Sequence, residues 1–198
     1  MLKMIKGCKI YGLNKLQEHY EINGFTMRAN VNADKIREVI QHFIFSQTSL
    51  LFFVLELPSN EIDEKRLRKC DYDSMHKDIY YIDGLSKEEI LTLITNYGDL
   101  LINDGLSGFG FGSHDNTAEI MVDKYNVVTL WTHNMEKYDG FFEQHNINRT
   151  DKLVTAWDTF NDDTPGESFC FEVDGKNVFC LIDELKDWGI YFAKQREG

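Results

Sequence analysis

Glycines, carboxylates and one histidine crowd the middle of this chain, and they are the residues to weigh first for chemistry. Residues 105–115 read Gly-Leu-Ser-Gly-Phe-Gly-Phe-Gly-Ser-His-Asp. Backbone amides in a glycine loop can cradle a phosphate. The spacing does not suit that use. A dinucleotide fingerprint needs glycine where Ser113 stands, and no Gly-Lys-Ser/Thr is present. A nucleophile elbow around Ser107 fails as well, because Phe109 occupies the place of its second glycine. The alternation fits a strand in which Phe109 and Phe111 fill a core while the glycines admit a close neighbour.

Just beyond lie His114, Asp115, Glu119 and Asp123, the weak metal candidates of the chain. Glu119 and Asp123 are four residues apart, so a strand puts them on one face, where a hard cation would accept their oxygens. His114, Asp115 and Asn116 read equally well as a solvated turn. A small hydrolase or ligand-binding enzyme would have its site between Ser107 and Asp123. No cofactor is expected, and none of the six histidines falls in a metalloprotease spacing.

A second group joins an aromatic to acids: Trp157, Asp158, Asp162, Asp163 and Glu167. An aromatic anchor ringed by charge is the composition of a protein interface. The alternative is a core tryptophan beside a polar turn. A basic cluster, Lys65, Arg66, Arg68 and Lys69, reads as a solvated face balanced by Glu61, Asp63 and Glu64.

Charge decides which partners suit these residues. Residues 1–100 hold thirteen basic and fifteen acidic side chains, and residues 101–198 hold eight and eighteen. The net charge of −12 therefore sits almost wholly in the second half. Such a half repels nucleic acid and anionic membranes and attracts basic partners. At 42% apolar and 13% aromatic, the 198 residues can bury a real core. No signal peptide stands out, and the apolar run 50–55 is too short to span a bilayer, so the chain reads as soluble and cytoplasmic.

The elements that must position these residues are legible by pattern. Residues 21–30 read as a strand, followed by a helix capped by Asn32 with Ile36, Val39, Ile40 and Phe43 on one face. Residues 50–57 read as a central strand buried on both faces. A surface excursion with a short helix is expected over 59–77, then a strand over 78–83. Ser86 and Glu89 form a capping box for a helix that Gly105 stops. Strands follow at 118–122 and 127–132, then a helix over 135–145 and a strand over 152–160. Asp174-Gly175 is a strong hairpin signal between arms 169–173 and 176–182. That hairpin would point Cys170 and Cys180 to opposite faces, so all four cysteines are read as thiols. A short helix over 183–188 stopping at Gly189 and a polar tail complete the chain.

Hairpin-joined strands with a few helices define an α+β fold with a largely antiparallel, possibly mixed, sheet. One domain spanning 1–198 is expected, with Gly105 as the place for any subdivision. The expected function is protein binding: an acidic chain that masks a basic partner, most concretely an immunity-type inhibitor of a toxin. In general character it resembles small bacterial immunity-type α+β proteins, without a motif that matches residue by residue.

Overall fold

The alternating glycines and phenylalanines do form a strand, and it sits inside the sheet with a neighbour on either side. The structure is a computed structural model, and it describes every residue except 69, 71–73, 116 and 198, with the side chain of Asp139 also left out. In chain order the elements are β1 (Cys8–Lys9), β2 (His19–Asn23), β3 (Thr26–Asn30), α1 (Ile36–Ser46), β4 (Leu51–Pro58), α2 (Glu61–Leu67), β5 (His76–Leu85) and α3 (Lys87–Asn103). There follow β6 (Gly108–Ser113), β7 (Ala118–Asp123), β8 (Val127–Thr132), α4 (Glu136–Gln144), β9 (Asn148–Arg149), β10 (Glu167–Ser168), α5 (Leu181–Glu184) and β11 (Tyr191–Glu197).

Among the described residues, nine strands make one mixed sheet in the order β11-β5-β4-β6-β7-β8-β3-β2-β9, and β1 pairs with β10 in a small antiparallel sheet. Among the described residues, only the β2–β9 pairing is parallel within the large sheet. The fold is therefore α+β. The sheet crosses position 105 without a break, since β4 pairs with β6. No helix among the described residues is long and apolar enough to cross a membrane.

Register separates two faces. Phe53, Leu55, Phe109, Phe111, Ile120, Val122, Val128 and Leu130 share one face and are buried. Ile36, Ile40 and Phe43 of α1 and Ile90, Leu93 and Ile94 of α3 join them in a single core, and the two helices pack on each other. α4 flanks α1, with Tyr138 beside Phe43 and Phe141 stacked on His42. The opposite face carries Tyr81, Ile79, Lys77, Val54, Glu56, Glu119, Met121, Asp123 and Arg28.

Glycines shape that second face. A Cβ at Gly110 would collide with the Ile120 carbonyl and the Met121 sulfur, and one at Gly112 with the Phe52 ring. Gly108 leaves room for two carboxylates: its Cβ would stand 3.2 Å from Asp123 Oδ1 and 3.7 Å from Glu56 Oε2. Buried amides fasten the termini to this core. Asn126, fully buried at φ 65°, accepts from Ile5 N–H and donates to the Lys3 and Val31 carbonyls. Asn tolerates this left-handed backbone better than most residues. Asp104 accepts from the N–H groups of Leu106, Ser107 and Phe171.

Several expectations need correction. Residues 21–30 are a hairpin, because Gly24 at φ +61° turns the chain between Asn23 and Thr26. Asn32 does not cap α1; its Oδ1 accepts from Lys3 N–H and its Nδ2 donates to Glu18, so the helix begins at Ile36. Gly105 does not end α3 in a left-handed cap. Asp104 follows the helix with extended backbone, and Gly105 lies where Gly7 and Phe169 press against it. Residues 152–160 are not a strand. Thr155 and Asp158 cap each other and curl residues 156–159 into a 3-10 turn.

The 169–182 hairpin survives only at its turn. Asp174 and Gly175 take positive φ, and Val173 and Lys176 exchange two 2.9 Å bonds. The arms then part, because Gly7 and Asp104 take the Phe169 and Phe171 N–H groups while Asn177 caps a helical turn at Phe179. The face-by-face placing of Cys170 and Cys180 falls with the hairpin, although both are thiols. The polar tail is an edge strand, β11, on β5.

The glycine analysis yields a paired expectation. Gly110→Ala should destabilise by at least about 1–3 kcal/mol, the usual cost of forcing atoms into a filled space. Gly140→Ala, with nothing within 4 Å of the new Cβ in α4, should stabilise by about 0.5–1 kcal/mol. Urea unfolding of both variants checks this.

Candidate functional site

The acidic turn is built by local hydrogen bonds. Trp157 is 54% exposed and is held edge-on by Tyr125 at 5.0 Å and Phe160 at 5.5 Å. Asn161 Oδ1 accepts from the N–H groups of Asp163 and Thr164, which lifts Asp162 and Asp163 to an exposed tip. Two other expected contact residues are engaged already. Asp158 accepts from the Thr155 backbone and hydroxyl, which holds its carboxyl below the usual range. Glu167 takes the Tyr11 hydroxyl and Lys9, and these lower its pKa too. Trp157, Asp162 and Asp163 are thus exposed, whereas the Asp158 and Glu167 carboxylates are already engaged.

The weak metal candidates do not converge. His114 accepts from Gly84 N–H and lies 3.8 Å from Asp83. Asp115 accepts from the Thr117 hydroxyl, which brings its pKa to about 2. Asn116 lies outside the described residues. Glu119 and Asp123 do share a face of β7, and Phe52, which packs edge-on against His114, lies on that same sheet face. No set of three His, Cys, Asp or Glu among the described residues is placed to hold a metal ion. The Ser107 hydroxyl is buried with no hydrogen-bond partner among the described residues, and no base of these touches it. In the basic cluster, Lys65 pairs with Glu61 and Arg66 with Asp63, while Lys69 lies outside the described residues.

A charged hollow on the helix-free sheet face escaped the sequence reading. Glu56 is 4% exposed in the middle of an apolar strand. Lys77 reaches it at 3.0 Å, and Arg196 of β11 forms a second ion pair. Asp123 and Glu119 complete a cavity of about 250 Å³ with these groups. Burial raises the Asp123 pKa, Lys77 opposes the rise and Glu56 adds to it. Across Lys77 and Asp123 lies a second hollow of about 310 Å³, bounded by Arg28, Lys124, Thr129 and Trp157. The one signal in the sequence was Glu56 itself, a carboxylate inside a run of buried-strand residues. Its cations come from β5 and β11 and could not be assigned from spacing.

Comparison with protein-family models, with curated proteins and with solved structures finds no match for this chain.

Glu56→Gln removes the counter-charge of Lys77 and Arg196. Both cations are partly solvated, which softens the loss. We expect destabilisation of about 1–3 kcal/mol in urea unfolding, below the cost of breaking a fully buried pair.

Proposed function

We propose that this protein is an acidic binding protein that masks a basic partner, most concretely an immunity-type inhibitor of a toxin acting in the cytoplasm. The observation that carries the reading is Trp157, exposed yet braced by two aromatic rings, followed by the exposed tip acids Asp162 and Asp163, which form no ion pair among the described residues. A pre-positioned indole loses little freedom on docking, and flanking acids steer a basic surface to it. The net charge of −12 extends that attraction beyond the contact. Against the alternative of a hydrolase stands Ser107, buried and without a base. The cleft beside Glu119 and Asp123 favours a second reading, that of a ligand-binding protein.

The test is affinity capture on the tagged full chain at low and high salt, followed by titration of the purified partner. A basic protein retained at low salt and shed at high salt is expected. Asp162→Lys with Asp163→Lys should weaken it roughly tenfold at low salt, about 1.4 kcal/mol, and flatten the salt dependence. An unchanged affinity and salt slope would remove this turn from the interface.

A further inference from the structure

On a chain of net charge −12, the helix-free sheet face gathers five cations: Arg28, Lys77, Lys124, Lys194 and Arg196. Glu56 answers two of them, Lys77 and Arg196. The 310 Å³ hollow is different, for Arg28, Lys77 and Lys124 face a single carboxylate there, Asp123. Arg28 has only a distant pairing with Glu21, at 3.9 Å. Lys124 is half-buried and forms no ion pair with any described residue. Burial, and then the charge of Lys77, push its pKa down. Three cations around one carboxylate, with half-buried Lys124 outside any ion pair, leave an excess of positive charge in the hollow that an anion would relieve.

Two further observations narrow the anion. The hollow is at the small end of the range for ligand cavities, roughly 300–1,000 Å³, a size that suits a small molecule. Its wall includes the exposed Trp157, whose edge contacts with Tyr125 and Phe160 fix the ring beside the cations. An indole in that setting offers a stacking surface to a planar ring. We propose that this hollow binds a small ligand of the nucleoside monophosphate class, with the phosphate among Arg28, Lys77 and Lys124 and the base against Trp157. Asp123 is placed to accept a hydrogen bond from a hydroxyl or amino group of such a ligand. A phosphate suits three cations better than a carboxylate does, because its oxygens diverge toward separate donors. The acidic second half of the chain repels longer polyanions and leaves a compact one admissible. This inference shares Trp157 with the acidic-turn reading but uses none of the turn's acids.

The experiment is equilibrium dialysis, with ligand-observed saturation-transfer NMR, on the full chain. The probes are the four ribonucleoside 5′-monophosphates, the matching nucleosides and inorganic phosphate. At least one monophosphate should bind, with its nucleoside and free phosphate each weaker by about tenfold or more. Lys124→Met should cost about tenfold in that affinity, and Trp157→Leu a similar factor. Arg28→Met, at an exposed strand position, is the second cation variant, and thermal melts establish that each variant is folded. Asp162→Lys with Asp163→Lys should leave monophosphate binding unchanged, so failure here and failure of the acidic-turn reading are told apart. The proposal is overturned if no monophosphate binds at about 5 mM, well above usual ligand affinities. Equal binding of nucleoside and monophosphate would overturn it too, as would folded Lys124→Met and Arg28→Met variants that retain full affinity.

Discussion

The structure depends on what β6 leaves out. Phe109 and Phe111 point into the helix-covered core, where almost nothing of them remains exposed. On the other face the same strand presents only hydrogens. Met121 and Phe52 fold into the vacated space, and Asp123 and Glu56 approach each other over Gly108. A side chain at any of these glycines would meet its neighbours before it met water. One strand thus supplies both fully buried core side chains and the floor of the charged hollow.

That floor brings carboxylates from β4 and β7 to cations from β5 and β11, strands far apart in the chain. Burying Glu56 is tolerable only because Lys77 and Arg196 both reach it. The arrangement also ties β11 to the sheet through more than its backbone ladder. Further along the same face the balance tips to cations, with Trp157 in the wall of the hollow.

Buried polar side chains hold the irregular segments in place. Asn126 takes three backbone groups from two segments, and Asp104 takes three N–H groups, one of them from residue 171. Backbone without a ladder must find partners somewhere. Here two side chains supply them, so the segment over 168–176 lies against the core although it builds almost no sheet.

The sequence by itself determined the elements whose signals are local and periodic. The Ser86–Glu89 capping box, the apolar faces of α1 and α3, the strands around 51–58, 118–123 and 127–132, and the Gly/Phe alternation all stand where their patterns put them. Each depends on residues a few positions apart, which is the range over which spacing carries information. Tertiary structure decided the rest. Asn32 would have capped a helix had Lys3 and Glu18 not claimed its side chain. The arms beyond Asp174-Gly175 would have paired had Gly7 and Asp104 not taken their N–H groups. Trp157, Asp162 and Asp163 were visible as a run of types. The meeting of Arg28, Lys77, Lys124 and Arg196 was not, because charges separated by 47 to 168 positions reach one another only through strand order.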